Sequence, residues 1–267
     1  MDEPLQPMEP VIWQTPFDDP QWQFEIKWDG VRCLAYAEGD EVRLYGRRGT
    51  NWSARFPELR EALRGSGKVL DGELVVLQDG RPSFPAVMRR LHRSDGPVHF
   101  MVFDCLYDGG RDLRQEPTAV RQEKLLALPA SALLHRVEPV MGAGRALFEV
   151  ARESGLEGVV AKRRDAPYVG GKSDLWRKVK CWRELRCVVL GLDEEKGEIR
   201  SVRLGAEEDG QVRPVGSVGN LGRGAQQELR RALAHGTALV DVAYLEWTED
   251  GSLRHPRWLR VAHPSGR

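Results

Sequence analysis

The sequence predicts an α+β protein in two parts, and three observations carry that prediction. Short segments alternate apolar and polar residues with a period of two, notably 24–29, 69–77 and 99–107, as half-buried strands do. Tight-turn signals join strand-like runs, such as Glu38-Gly39-Asp40 between 31–37 and 41–45, which makes an antiparallel meander. From about residue 184 the texture changes to five strands with one helix between the third and the fourth, the order of an OB β-barrel, a fold that commonly handles nucleic acid. The expected domains are 1–183, built of antiparallel sheets, and 184–267, the OB-fold barrel.

The first twenty residues hold five prolines and are expected to lie on the surface as an extended strap. Phe24, Ile26 and Trp28 then face one way, and Glu25, Lys27 and Asp29 the other, before Gly30 allows a turn toward Arg32. A lysine flanked by carboxylates, with an arginine close by, suits a nucleophile. Free lysine is protonated at neutral pH, and nearby cations, burial or a metal lower its pKa while a carboxylate orients it. The same residues could equally form a charged surface hairpin. Gly46-Arg47-Arg48-Gly49 is either an ordinary turn or a loop that presents guanidinium groups to phosphate or sugar.

Proline at the first position opens a helix at Pro57 that ends near Gly65. In the strand 69–77, Asp71 and Glu73 share a face. Acidic residues inside a strand are costly without a partner, which is a metal, a ribose hydroxyl or a structural salt bridge. A helix over 83–92 is followed by a strand over 99–107 that carries Phe103, a core residue or a stacking platform. Thr118 is expected to cap a helix through Leu128, and a further helix spans about 144–154. In 156–164, alternation puts Glu157 and Lys162 on opposite faces, so the strand must be bulged or twisted for both to meet one ligand. The strand 175–180 places Lys178 and Lys180 on one face.

The chain has 267 residues, and 40 basic side chains balance 40 acidic ones, so no global basic field advertises nucleic acid. Between Lys162 and Arg186, however, nine basic residues face three acidic ones, a local surface suited to polyphosphate and a nucleic-acid backbone. Cys33, Cys105, Cys181 and Cys187 form no C-x-x-C pair and suggest a reducing compartment. No apolar run approaches the ~20 residues that span a bilayer, and the acidic, proline-rich start is not a signal peptide. A cytoplasmic, nucleoid-associated protein is expected.

Taken in order, these stretches resemble the covalent nucleotidyltransferase superfamily, and within it the ATP-dependent DNA ligases. K-W-D-G-V-R at 27–32 is similar to the family's adenylation motif. G-R-R-G at 46–49 with W-S-A-R-F-P-E-L at 52–59 resembles the second motif, and V-L-D-G-E-L-V at 69–75 the third. F-D-C-L-Y at 103–107 resembles the adenine-stacking segment, E-G-V-V-A-K at 157–162 the fourth motif and W-R-K-V-K at 176–180 the fifth. The likeness is greatest to the ligase module of bacterial end-joining enzymes. It runs on through V-G-S-V-G at 215–219 and L-R-H-P at 253–256, nearly the whole chain.

The resemblance implies an adenylation domain followed by an OB domain, and it implies residue roles. Lys27 is the nucleophile that becomes adenylylated, and Asp29 orients the catalytic centre. Glu25 and Ile26 read the adenine edge through their backbone, and Phe103 stacks on the base. Arg32 and Arg47 contact the ribose and the nicked strand's phosphate. Glu73 binds the ribose hydroxyl and shares with Glu157 the divalent metal, Mg²⁺ or Mn²⁺. Lys162, Lys178 and Lys180 grip the ATP phosphates. The implied partners are nicked or broken duplex DNA and other DNA-repair proteins, with the chain itself a monomer. RNA ligases and capping guanylyltransferases share the lysine chemistry, and an inactive DNA-end-binding module is a further alternative.

Two motifs depart from the family pattern. Gly46 stands where a serine precedes the second-motif arginine. After L-R-H-P the family runs into R-x-D-K, a sixth motif that orients pyrophosphate. Here Ala262 and Ser265 stand at the arginine and lysine positions. Arg257, Arg260 and Arg267 are the candidate substitutes.

Overall fold

Alternating burial organises residues 8–180 of the computed structural model into two sheets that face each other across a central cleft. The structure describes residues 4–93, 96–129, 131–236, 238–248 and 250–262. In chain order the first elements are β1 (Met8–Ile12), β2 (Trp22–Ile26), β3 (Val31–Glu38), β4 (Glu41–Gly46), α1 (Pro57–Leu63), β5 (Lys68–Val75), the small hairpin β6 (Leu77–Gln78) and β7 (Arg81–Pro82), and α2 (Phe84–Arg93). There follow β8 (His99–Asp108), β9 (Arg111–Asp112), α3 (Thr118–Leu126), β10 (Leu134–Arg136), β11 (Val140–Met141), α4 (Gly144–Glu153), β12 (Gly158–Arg163) and β13 (Gly171–Lys180).

One sheet has the order β1-β13-β12-β2-β11, and the other β10-β8-β5-β3-β4 with β9 beside β8. Most pairings are antiparallel, as the meander signals require. Two are not: β1 pairs in parallel with β13, and β10 with β8. The N-terminal segment is therefore an edge strand and not a surface strap, with Met8 fully buried. Its prolines are compatible because an edge needs few donors, and the register shifts just after Pro10. The apolar faces of β3, β4, β5 and β8 pack with α1, α2 and α3 on one large core around Leu44, Phe56, Leu70 and Phe100. A smaller cluster around Met8, Tyr36, Leu106, Tyr168 and Trp176 joins the two sheets.

Thr118 does not cap α3. Pro117 holds that position, and the Thr118 hydroxyl donates instead to the Ala166 carbonyl at 3.1 Å. That carbonyl also accepts from Arg121, whose buried guanidinium grips Asp104 at 2.8 and 3.0 Å. Asp104→Ala leaves this cation buried without a counter-charge, so urea unfolding should show a loss of about 3–5 kcal/mol. A loss under about 1 kcal/mol would mean that water replaces the carboxylate.

The chain divides between Cys181 and Trp182 into two units, two residues earlier than expected, because the next strand already begins at Arg183. The second unit is a five-stranded antiparallel sheet of β14 (Arg183–Glu195), β15 (Glu198–Glu208), β16 (Gln211–Gly219), β17 (Leu239–Tyr244) and β18 (Arg257–Ala262), in the order β16-β15-β14-β17-β18. Between β16 and β17 in sequence, α5 (Arg223–Ala234) buries Leu229 against Val202, Val218 and Val240. The last strand starts at Arg257 and not at Leu253. His255, with φ +53°, turns the chain before Pro256, and Leu253 instead donates its amide to Val215. Pro264, Ser265 and Arg267 lie outside the described residues.

Candidate active site

The cleft between the two sheets of the first unit holds a cavity of about 620 Å³. Six basic side chains line it: Lys27, Arg32, Arg47, Arg48, Lys162 and Lys178. Only three acidic ones do, Glu9, Glu25 and Glu73. Ile26, Trp28, Phe103 and Trp176 add apolar and aromatic walls. A basic, half-apolar cleft suits a ligand with a flat ring at one end and several phosphates at the other.

Lys27 follows directly on β2, and its amide donates to the Gly158 carbonyl at 2.9 Å. That bond ties it to the start of β12. Its ammonium donates to Glu157, whose other oxygen accepts from Lys180 at 2.8 Å. Burial pushes the Glu157 carboxyl up, but Lys27 and Lys180 outweigh it and hold the group below the usual carboxylate range. Lys178 sits beside this trio. Burial, and then Lys27 and Lys180, push its amine below the ordinary lysine value.

Glu157 reaches Lys27 while Lys162 lines the cavity, with no bulge in the pairing of β12. Gly158 does the work with φ +146°, and a Cβ there would lie 2.0 Å from the Val179 carbonyl oxygen. Gly30 is equally constrained: a Cβ there would fall 2.2 Å from the Leu74 oxygen, so only glycine lets Lys27-Trp28-Asp29 pass so close to β5.

Lys162 is almost wholly buried. Its ammonium donates to Glu25 at 2.7 Å and to the Phe103 carbonyl at 2.7 Å. It also lies over the Phe103 ring, at 4.6 Å, and the Trp176 ring, at 4.5 Å. Burial raises the Glu25 carboxyl above its ordinary pKa, with Lys162 pulling it back. The Glu25 side chain is thus occupied in holding Lys162.

Asp71 and Glu73 leave the strand with different fates. Asp71 is fully buried and is taken by Arg32, at 2.5 and 2.6 Å, and by the Tyr168 hydroxyl at 2.6 Å. It is the structural salt bridge among the sequence alternatives. The pair fixes the Arg32 guanidinium over Phe103 at 4.7 Å, at the cavity wall. Glu73 faces the cavity, and burial pushes its carboxyl up to about 7 despite Lys27 and Arg32. The folded protein therefore keeps a proton on Glu73 that the unfolded chain loses near pH 4.5. Stability from this group is complete at low pH and is lost as pH rises toward about 7. Glu73→Gln cannot ionise, so urea titrations should show the variant gaining on the wild type by on the order of 1–3 kcal/mol between pH 4.5 and 7.5. A parallel pH dependence in the two proteins would refute the burial of that charge.

Most of the residues expected from sequence meet here: Glu25, Ile26, Lys27, Arg32, Arg47, Glu73, Phe103, Lys162 and Lys178 all line the cavity. Glu157 is the ion-pair partner of Lys27 and also holds Lys180; neither Glu157 nor Lys180 lines the cavity. Asp29 is not among the lining residues, although Trp28 and Gly30 on either side of it are. Sequence reasoning missed Trp176 as a wall residue, though its spacing of two from Lys178 put it on the same face. It also missed Glu9, which no pattern among the N-terminal prolines foretold.

No group of three or more His, Cys, Asp or Glu side chains among the described residues could cage a metal. Two carboxylates, Glu73 and Glu157, do stand near enough to feel each other's charge. A hard divalent cation that takes the rest of its shell from phosphate oxygens and water fits such a pair.

Residues 12–180 match the ATP dependent DNA ligase domain model. Over 248 residues the chain is 35% identical to DNA ligase C1 of Mycolicibacterium smegmatis, covering 83% of this chain and 71% of that protein. It is 34% identical over 272 residues to the multifunctional non-homologous end joining DNA repair protein LigD of Mycobacterium tuberculosis, which takes in 89% of this chain but only 36% of LigD. The solved ligase domain of M. tuberculosis LigD superposes with a TM-score of 0.65 at 32% identity, over 97% of this chain and 95% of that one. A mycobacterial DNA ligase D solved with ATP and MES gives 0.64 at 32% identity, over 98% and 96%.

Proposed function

Because the chain belongs to the family of ATP-dependent DNA ligases, we propose that the cleft catalyses three nucleotidyl transfers that together seal a break in DNA. The Lys27 amine attacks the α-phosphorus of ATP, forming a P–N bond as pyrophosphate leaves and the amine loses a proton. The 5′-phosphate at the break displaces the lysine and takes the AMP. The 3′-hydroxyl then attacks that phosphate, forming the phosphodiester and releasing AMP. The observation that carries this reading is the Lys27 amine set in the wall of a cavity with five further cations and an aromatic floor.

Phosphoryl-type transfer asks for positioning and charge neutralisation. Lys178 and Lys180 would face the polyphosphate, Phe103 the base and Glu73 the ribose. Lys162 would act chiefly by fixing Glu25 and Phe103. Glu73 and Glu157 would hold Mg²⁺ or Mn²⁺, whose charge would assist the phosphoryl-type transfer. The second unit is assigned as an OB barrel, because its three-strand meander, helix and two further strands pair the fourth strand with the first. Repair partners, a monomeric state and a cytoplasmic, nucleoid-associated location are parts of the same reading. No helix among the described residues is long and apolar enough to cross a membrane.

A duplex with a 5′-phosphorylated nick tests the function. The protein should seal a DNA nick with ATP and either metal, and should prefer it to an RNA nick and to GTP. Sealing of RNA alone, or with GTP alone, would move the assignment to the RNA ligases or the guanylyltransferases.

The C-terminus bears on which step is slow. Ala262 is buried, Arg260 is bound to Asp241 at 2.8 Å, and Arg257 lies over the Trp182 ring at 4.7 Å. Self-adenylylation should therefore run some 10²–10³-fold below sealing of a pre-adenylylated nick, the usual effect of one missing charge-stabilising contact. Ala262→Arg, Pro264→Asp and Ser265→Lys together should raise label transfer from ATP and leave sealing of the pre-adenylylated nick nearly unchanged. Equal rates for the two steps in the natural protein would show that another arginine has taken the role. No detectable step with any metal would favour the end-binding alternative.

A further inference from the structure

The two sheets are tied together at the cavity by an ion pair that none of the catalytic roles uses. Glu9, on edge strand β1 of one sheet, accepts two hydrogen bonds from Arg47, in the turn that follows β4 of the other. One runs from Nε at 2.7 Å and the second from Nη2 to the other carboxylate oxygen. Both residues line the cavity. The fork-to-fork geometry is the one that a guanidinium also offers to a phosphate. Arg48 lines the same wall, and Lys178 lies close enough to feel the charge of Arg47. Glu9 is thus a single carboxylate set among cations that otherwise suit a phosphate.

The contact is built to be exchanged. The Arg47 side chain is 60% exposed and that of Glu9 22%, so solvent screens the pair and holds it weakly. β1 does not depend on it. The strand is also held by its ladder with β13, by Arg32 donating to the Met8 carbonyl at 2.9 Å, and by the Leu5 amide on the Tyr36 hydroxyl at 2.7 Å. The Glu9 side chain can therefore swing away without unzipping the strand.

We propose that Glu9 is an internal phosphate surrogate. Its carboxylate occupies the Arg47 fork until a phosphate monoester end displaces it, and it so sets the threshold for docking a nucleic-acid terminus. A dianionic 5′-phosphate competes for the fork better than a monoanionic backbone diester, and a 5′-hydroxyl end leaves the fork to Glu9, so the cost of displacement falls on phosphorylated ends. The nature of the ligand rests on the nucleotidyl-transfer reading above.

The test is equilibrium binding of the whole protein to fluorescent nicked duplexes that differ only in a 5′-phosphate or a 5′-hydroxyl at the nick. Circular dichroism monitors the fold, and label transfer from ATP is scored separately. Glu9→Gln should bind the phosphorylated nick roughly fivefold tighter or more and the hydroxyl nick about as the wild type does, which widens the preference. Glu9→Asp should stay near the wild type. The double variant Glu9→Gln with Arg47→Ala should lose the gain, which assigns it to the fork. If Glu9→Gln binds the phosphorylated nick no better than the wild type, or worse, the carboxylate is only a structural tie and the proposal fails. It fails equally if no protein distinguishes the two nicks. An absence of label transfer alongside the expected binding shifts would overturn the nucleotidyl-transfer reading and leave the surrogate standing.

Discussion

Lys27→Arg should abolish transfer of label from α-labelled ATP, by at least ~10³-fold, the scale on which removing a nucleophile acts. Arginine keeps the charge and most of the reach of lysine, so a role for Lys27 in merely attracting ATP predicts a mild effect. A guanidinium stays protonated at any working pH and cannot attack phosphorus. Lys27→Ala should be equally inactive. Neither variant should unfold, because Glu157 keeps its second partner, Lys180 at 2.8 Å. Denaturing electrophoresis after incubation with ATP and metal reads the outcome. Label retained above about a tenth of the wild-type level in Lys27→Arg would exclude Lys27 as the attacking group.

The second large effect is on stability. Lys162 and Glu25 are 1% and 3% exposed at the side chain and 2.7 Å apart. Lys162→Met fills most of the volume but takes the ammonium from the buried Glu25 carboxylate, which keeps the Gln23 amide at 3.1 Å. Breaking such a pair from one side typically costs about 3–5 kcal/mol, whereas replacing both partners by apolar groups is often near neutral. Lys162→Met should therefore lose about 3–5 kcal/mol in urea at pH 8, and the double variant Lys162→Met with Glu25→Met distinctly less. The loss should shrink in acid. Burial already raises the Glu25 carboxyl, and without Lys162 it rises further, so the folded variant binds the proton more tightly than the unfolded chain and is destabilised as pH climbs past about 4.5. A pH-independent loss, or a double variant as damaged as the single, would mean that packing and not charge dominates. Label transfer should fall with stability restored by cold or osmolyte, because Lys162 also holds the Phe103 carbonyl.

What was legible in the sequence was local. Period-two alternation placed Glu25 and Lys27, and Lys178 and Lys180, on single strand faces, and turn glycines marked where those strands reverse. Spacing could also say that Asp71 and Glu73 share a face. It could not say that Arg32 and Tyr168 close over Asp71 and leave Glu73 to the cavity, because Tyr168 is 97 residues away in the chain. The N-terminal prolines read as a strap because proline lacks a donor. An edge strand needs few donors, and only the partner β13, more than 160 residues on, reveals the edge. Glu9 was invisible for the same reason: its meaning lies in Arg47, on the other sheet. Alternation also failed at Glu157, where one glycine with φ +146° resets the facing of the chain.

The central claim is that the amine of Lys27 carries AMP, and peptide mapping of the protein after incubation with ATP and Mn²⁺ tests it most directly. Intact mass should rise by one adenylyl group, and the modified peptide should contain Lys27 within Phe24–Arg32. The adduct should be acid-labile, as a P–N bond is, and should disappear when pyrophosphate or a 5′-phosphorylated nick is added. An adduct on Lys162, Lys178, Lys180 or any other lysine, or one that survives acid and pyrophosphate, would contradict the account.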